Sequence, residues 1–411
     1  MAMELPVVSA IMARLHDPKI SLAAYGGIVF PMSMIVEAPI IMLLSASTAL
    51  SKDWKSFLTL RRFMFWAGGI LTVCHLLVAL TPLYGFVIGD LIGAPLEIRG
   101  PARIGLIIMT PWTFSIAYRR LHQGVMIRFG RSHLVGIGTV IRLASNVAVL
   151  AIGYALGNLP GIVVGTMAVA VGVVSEALFV GITVRPVLKD GLRRAPPLEV
   201  PVTVRQFLHF YIPLAMTPLL MLVSAPIGSA GVSRMPRALD SLAVWPVLNG
   251  LAFLFRSVGI AFNEVVVAML DEPGASRALR RFATLLGVAT SLCLLLIAAT
   301  PLAGIYFGRL SALPPALSTL ARRAIWFVLP LPALSVLQSW FQGNILHGRR
   351  TRSITEAVGV YMVVNGIGLI LGIAHGRTIG LYVAVASTVV GQAAQIVWLR
   401  LRCRDLARAR T

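Results

Sequence analysis

Residues 6–25 read PVVSAIMARLHDPKISLAAY, and a related stretch, PIGSAGVSRMPRALDSLAVW, follows at 226–245. The two align without a gap at an offset of 220, and seven of the twenty positions are identical. The identical pairs are Pro6/Pro226, Ser9/Ser229, Ala10/Ala230, Arg14/Arg234, Ser21/Ser241, Leu22/Leu242 and Ala23/Ala243. In a chain rich in apolar residues one such match could be chance, so a second match is needed to establish a repeat.

The second match lies between HQGVMIRFG at 122–130 and FQGNILHGR at 341–349, at an offset of 219. Its identical core is the pair Gln–Gly, with Gln123 and Gly124 corresponding to Gln342 and Gly343. Two matches at nearly one offset indicate that the chain is duplicated, and internal duplication is common in transporters.

The composition is that of a membrane protein. The 411 residues are 57% hydrophobic and 12% charged, with a mean hydropathy of +0.86, whereas soluble domains carry about 25% charged residues. Apolar runs of roughly 20 residues, the length that spans a bilayer as a helix, recur along the chain. We therefore predict an all-α polytopic membrane protein with about twelve transmembrane segments, at 1–13, 20–47, 62–85, 104–124, 134–156, 161–184, 206–229, 242–268, 282–306, 324–346, 354–374 and 378–399.

The net charge of +21 does not indicate a nucleic-acid partner, because the basic residues are scattered in short loops between the apolar segments. Most lie in the loops that follow even-numbered segments and in the C-terminal tail. The positive-inside rule places these loops and the C-terminus in the cytoplasm. We therefore predict a multi-pass protein of the cell (inner) membrane that is in contact with membrane lipid.

The duplication predicts two lobes of six helices related by a pseudo-twofold axis. The N-terminal lobe is expected at 1–184, a cytoplasmic linker at 185–205, and the C-terminal lobe with its basic tail at 206–411. About twenty apolar-rich residues precede Pro226, but only five residues precede Pro6. The first helix is therefore expected to be truncated, either through the gene model or as a natural variant.

Charged residues inside the apolar segments are the candidates for function, since a charge at mid-bilayer costs at least about 2.5–3.5 kcal/mol. Arg142 and Glu176 lie at similar depths on consecutive segments and are predicted to form an ion pair, either as a structural link or within the substrate path. At the 220 offset Glu37 corresponds to Ser257, so Arg256 is one position from its counterpart. Glu37 and Arg256 are therefore predicted to contact substrate or a coupling ion at a shared cleft; the alternative is a local partner for each.

Two further titratable groups are weaker candidates. Glu264 lies two turns after Arg256 and is expected either near the same helix face or at the membrane interface. His75 lies in the middle of the third segment, where it is expected to be either a hydrogen-bonded histidine of the core or a proton carrier. Arg119, Arg120 and Arg128, which flank the Gln–Gly pair, are expected at the cytoplasmic interface.

No catalytic, nucleotide-binding or metal-binding motif is present, and the three cysteines have neither metal-ligand nor disulfide spacing. We expect neither an enzyme nor a bound cofactor or metal. Any transport would draw on ion gradients or on a partner protein.

LAAYGGIVFPMSM at 22–34 is similar to the second helix of the multidrug/oligosaccharidyl-lipid/polysaccharide (MOP) exporter superfamily, which includes the MATE transporters and lipid flippases. GVMIRFGRSHLVG at 124–136 and VRQFLHFYIPLA at 204–215 resemble the progressive ankylosis (ANKH) branch of that superfamily. The resemblance implies an exporter or flippase that alternates access between two lobes. The acidic residue usual in the first or seventh helix of the cation-coupled drug exporters is not matched here.

The positive charges of Arg142 and Arg256 favour a substrate that is a small anion or a lipid-linked anion. Coupling of transport to H⁺ or to Na⁺ is compatible with the sequence, as is a monomeric protein. The alternatives are a cation-coupled multidrug exporter and an integral-membrane scaffold that transports nothing.

Overall fold

The computed structural model describes residues 3–198, 202–270, 272–347 and 352–408. Gly348 and Arg349, at the end of the second repeat match, lie outside the described residues. The described chain is helical and contains no strand, which confirms the predicted all-α class. The helices are α1 (Glu4–Met12), α2 (Pro18–Ala24), α3 (Phe30–Glu37), α4 (Leu43–Leu50), α5 (Trp54–Leu80), α6 (Leu96–Arg128), α7 (Ser132–Leu156), α8 (Gly161–Pro186), α9 (Val204–Ser233), α10 (Ala238–Met269), α11 (Ala275–Ala299), α12 (Leu302–Gly304), α13 (Pro315–Val328), α14 (Leu331–His347), α15 (Arg352–His375) and α16 (Gly380–Arg408).

Ten helical stretches of the described chain are long and apolar enough to cross a bilayer. The protein is therefore a multi-pass membrane protein. The predicted first and fourth segments are not among the ten. The first corresponds to α1, which has nine residues. The fourth corresponds to α6, whose 33 residues would extend about 50 Å but include charged side chains.

One compact unit comprises residues 14–17 and 28–223. Helix α6 is at its centre and packs against α4, α5 and α8, while α7 packs on α8. Glycines allow these close approaches: a Cβ atom on Gly124 would lie 2.5 Å from the Leu44 carbonyl oxygen, and one on Gly153 would lie 2.3 Å from Val164 Cγ1. Packing through small residues is the usual way in which helices associate in lipid.

The chain that follows α8 folds back onto the start of α5 within this unit. Asp53 caps α5 by accepting a hydrogen bond from the Ser56 N–H at 3.1 Å. The Val202 N–H donates to Ser56 Oγ at 3.2 Å, and the Arg193 guanidinium lies 4.5 Å from the centre of the Trp54 ring. This part of the predicted linker is consequently held by specific contacts.

The second compact unit comprises the described residues within 3–13, 18–27 and 224–408. Helix α10 packs against α14, α2 and α1, and α15 packs against α16. A Cβ atom on Gly343 would lie 2.5 Å from Val266 Cγ1, and one on Gly372 would lie 2.3 Å from Val383 Cγ1. Gly250 makes the same kind of close contact with Pro6.

These glycine contacts recur at an offset of 219. Gly153 and Val164 in the first unit correspond to Gly372 and Val383 in the second, and Gly172 against Asn146 corresponds to Gly391 against Asn365. The two units therefore use the same residues of the repeat for internal packing. The stretch LRRF at 60–63 is repeated identically at 279–282, at the same offset.

The change of offset from 220 to 219 has a structural cause. Helix α2 begins at Pro18 and α10 at Ala238, which is an offset of 220. A π-helical segment then follows at Tyr25–Val29, whereas α10 continues without interruption. A π-bulge accommodates one extra residue in a helix. Beyond it the offset is 219, so Glu37 corresponds to Arg256, and the earlier match of Glu37 to Ser257 is wrong.

Candidate functional site

A buried ionic cluster lies in the first unit, where α6, α7 and α8 meet. Arg119 Nη1 donates to Glu176 Oε2 at 2.7 Å, and Gln123 Nε2 donates to Glu176 Oε1 at 2.9 Å. Arg142 Nη1 lies 3.9 Å from the same Oε2 atom. Glu176 has no exposed surface, and Arg119 and Gln123 are each 1% exposed. Glu176 is thus held from both oxygens, with Arg119 rather than Arg142 as its nearest cation.

The helical register accounts for this arrangement. Arg119 and Gln123 are four residues apart on α6, so their side chains lie on one face of the helix. On α7, Gly138 lies against the Glu176 side chain, where a Cβ atom would be 3.4 Å from Glu176 Cγ. One turn before Glu176, Gly172 packs against Asn146 of α7. The small residues bring α7 and α8 close enough for Arg142 to approach Glu176.

The cluster carries an excess of positive charge. Glu37 at the end of α3 is 4% exposed, and the cations that act on its carboxylate are those of Arg120, Arg119 and Arg142. Among the described residues, three guanidinium groups thus accompany the two carboxylates of Glu37 and Glu176. The buried Nε–H groups of Arg119 and Arg120 have no hydrogen-bond acceptor among the described residues. Such donors favour an anion as an additional partner.

A second intramembrane cation lies in the second unit. Arg256 of α10 donates from Nε to Ser335 Oγ of α14 at 3.1 Å. Within the described ranges, no carboxylate lies within 4.0 Å of this guanidinium. The side chain lines a small cavity of about 30 Å³ together with Trp245, Asn249 and Thr388. A cation without a counter-ion in the membrane is costly, so the position is suited to a bound anion.

The second unit replaces the other charges of the cluster by neutral groups. At the 219 offset Arg119 corresponds to Gln338, Arg142 to Tyr361 and Glu176 to Gln395. Gln338 accepts a hydrogen bond at 3.0 Å from Nε2 of Gln392, three residues before Gln395, so the Arg119–Glu176 pair itself is not repeated as a hydrogen bond between its counterparts among the described residues. The two halves therefore share a packing scheme but differ in charge.

The remaining predicted site residues lie elsewhere. His75 of α5 is 2% exposed and contacts two groups of α6, Thr113 Oγ1 at 3.1 Å and the Leu106 carbonyl oxygen at 2.9 Å. Both ring nitrogens are satisfied in the neutral form, which fits a core histidine. Glu264 is exposed on α10 and is not part of the Arg256 cavity.

The residues of the repeat motif have packing roles. Ser9 and Ser229 are buried, Pro6 lies against Gly250, and Arg234 Nη1 donates to the Ala230 carbonyl oxygen at 2.8 Å. Gly124 and Gly343 allow α6 and α14 to approach α4 and α10. Pro226 lies within α9, and Arg14 follows α1. The partly buried Gln342 does not repeat the contact that Gln123 makes with Glu176.

Arg119 was expected at the cytoplasmic interface but is buried within the ionic cluster. Arg120 is also drawn inward, with its Nε buried. The signal that could have revealed Arg119 is its spacing of four residues from Gln123, which places a cation and an amide on one helix face.

The described chain folds as a helical membrane protein, and its fold is similar to those of several solved transporter structures. One similar solved structure, with a TM-score of 0.76, is an inward-facing multidrug-resistance MATE transporter of the MOP superfamily; the identity is 16%, over 99% of this chain and 96% of that one. The lipid II flippase MurJ, in an inward closed conformation, has a TM-score of 0.72 and 14% identity, over 98% of this chain and 86% of MurJ. The eukaryotic MATE transporter AtDTX14 has a TM-score of 0.61 and 14% identity, over 100% and 96% of the two chains. No protein-family model and no curated protein matches the sequence. Because the sequence identities to these structures are only 14–16%, the structural similarity shows the fold alone.

Proposed function

We propose that the protein is a secondary transporter or flippase that exports an anionic solute or a lipid-linked anion by alternating access between its two lobes. The observation that carries the proposal is Arg256, an intramembrane cation that lines a cavity and is hydrogen-bonded to a neutral serine. A bound anion would supply the counter-charge that the described protein lacks at this position.

The ionic cluster of the first unit supports the same substrate class. Its three arginines exceed its two glutamates, and two buried Nε–H donors lack an acceptor. A cationic substrate or coupling ion would instead be stabilised by acidic groups on its path. The described charges therefore favour an anion over the alternative of a lipophilic cation.

The distribution of basic residues supports a proposal for the membrane that holds the protein and for the side on which its C-terminus lies. The basic loops and tail support an inner-membrane protein with a cytoplasmic C-terminus. Within the MOP superfamily, residues 124–136 and 204–215 support an ankylosis-like branch. The lobes would be residues 1–184 and 206–411, joined by the linker at 185–205.

An efflux assay in inverted membrane vesicles tests the substrate class. Labelled organic anions and labelled lipophilic cations are presented separately to vesicles with and without the protein. The proposal predicts protein-dependent uptake of anions into the vesicle lumen. Uptake of cations alone would establish the drug-exporter alternative, and no uptake of either class together with normal membrane insertion would favour the scaffold.

A further inference from the structure

A lipid-exposed groove lies between α6 and α8 of the first unit, on the outside of the ionic cluster. It has a volume of about 300 Å³, and its walls include Phe114 and Tyr118 of α6 and Leu178, Ile182 and Arg185 of α8. Leu178 and Ile182 are 65% and 63% exposed. The groove is therefore open to the side from which lipid would approach.

The one charged group of the groove lies at the end of α8, and Ser115 on the α6 wall donates its hydroxyl to the Pro111 carbonyl oxygen at 2.8 Å. Arg185 lies next to the last residue of α8, and within the described ranges no carboxylate lies within 4.0 Å of it. The Tyr118 hydroxyl lies beside Gly181, one turn before Arg185, where a Cβ atom would be 2.8 Å from that oxygen. From Val174 to Arg185 the α8 wall is about 16 Å long and otherwise apolar. A groove of this length, apolar along its side and cationic at its end, has the chemistry of one acyl chain and an anionic head group.

The same position in the second unit provides a contrast. At the 219 offset Arg185 corresponds to Arg404, but Gly181 corresponds to Arg400 and Tyr118 to Leu337. The second unit thus retains the terminal arginine without the glycine and the tyrosine that shape the groove. Arg404, like Arg185, is exposed. It is a matched control that separates a built lipid site from the general attraction of a basic helix end to an anionic membrane.

We propose that this groove binds one anionic glycerophospholipid from the leaflet on the basic side of the membrane, with its phosphate on Arg185 and the Tyr118 hydroxyl. One of the two acyl chains lies along Leu178 and Ile182, and the other remains in the bilayer. The bound lipid covers the seam between α6 and α8, the two helices that carry Arg119 and Glu176. The site is independent of the proposed transport activity, since none of the groove side chains belongs to the ionic cluster.

Native mass spectrometry of the full chain released from mixed phosphatidylglycerol/phosphatidylcholine membranes tests the proposal. The wild type is expected to retain one phosphatidylglycerol in preference to phosphatidylcholine. Arg185→Gln should lower this preference about fivefold, which is the attraction of one basic residue for an anionic lipid, and Arg404→Gln should leave it unchanged. Tyr118→Phe, which removes only the hydroxyl, should give a smaller loss of the same sign.

Equal retention by the Arg185→Gln and Arg404→Gln proteins would overturn the proposal, as would a wild type without preference for the anionic lipid. Monodisperse elution and an unchanged melting temperature in detergent for Arg185→Gln show that a lost preference is not a folding defect. If that variant does not fold, Tyr118→Phe decides: a preference equal to that of the wild type then refutes the site.

Discussion

Removing one partner of the buried ion pair between Arg119 and Glu176 should strongly destabilise the first unit. The substitution Glu176→Gln removes the negative charge but keeps the size of the side chain. It also leaves the Arg119 guanidinium, whose side chain is 2% exposed, without its partner at 2.7 Å. Breaking a buried pair from one side costs about 3–5 kcal/mol, because an uncompensated charge remains buried. For a unit of this size that corresponds to a fall of about 10 °C in melting temperature.

The assay is thermal unfolding of the purified full chain in detergent, followed by intrinsic tryptophan fluorescence. Glu356→Gln is the matched control, since Glu356 pairs with Arg402 at 2.8 Å but the arginine side chain is 38% exposed. Exposed pairs contribute about 0–1 kcal/mol, so this control should melt within about 3 °C of the wild type. Equal melting temperatures for Glu176→Gln and Glu356→Gln would refute the reasoning, because burial would then make no difference to the two pairs.

Two further predictions concern the first unit. Burial alone would raise the pKa of Asp53, but hydrogen bonds from Ser56 and from the backbone N–H groups of Leu198 and Lys55 outweigh it and hold the pKa below the usual value. Asp53 therefore contributes stability above the unfolded-state pKa of about 4, and this contribution is lost as the pH falls through the lower folded pKa. Between about pH 6 and pH 2, the melting temperature of the wild type should therefore fall more steeply than that of Asp53→Asn. Parallel pH dependences of the two melting temperatures would contradict this assignment. Gly124→Val would place a Cβ atom 2.5 Å from the Leu44 carbonyl oxygen and should destabilise by about 1–3 kcal/mol. Gly69→Val, at a position of the first unit where a Cβ atom would meet nothing within 4 Å, is its control in the same melting assay; equal loss in both would indicate helix propensity rather than packing.

Much of the architecture could be predicted from the sequence because duplication and hydropathy are periodic signals. The pairs Ser9/Ser229 and Gly124/Gly343 revealed the repeat, and the apolar runs revealed the helices. The register between Glu37 and Arg256 could not be predicted, since a π-bulge inserts one residue without a distinctive sequence signal.

The candidate site was predicted only in part. Arg142 and Glu176 were placed together because both are charged and at similar depth. Arg119 was assigned to the interface because it lies near the end of an apolar segment, whereas α6 continues to Arg128 and thereby keeps Arg119 inside the unit. Where a long helix ends decides the depth of its charges, and segment boundaries are the least reliable part of a sequence prediction.

The most direct test of the proposed function is anion efflux by variants of Arg256 in inverted vesicles. Arg256→Gln removes the charge, Arg256→Lys retains it, and Ser335→Ala removes only the hydrogen-bond acceptor at 3.1 Å. We predict that anion uptake falls at least about tenfold in Arg256→Gln, a loss of about 1.4 kcal/mol, and is largely retained in Arg256→Lys. Anion uptake by Arg256→Gln equal to that of the wild type, at equal protein level, would contradict the claim that this arginine binds the transported anion.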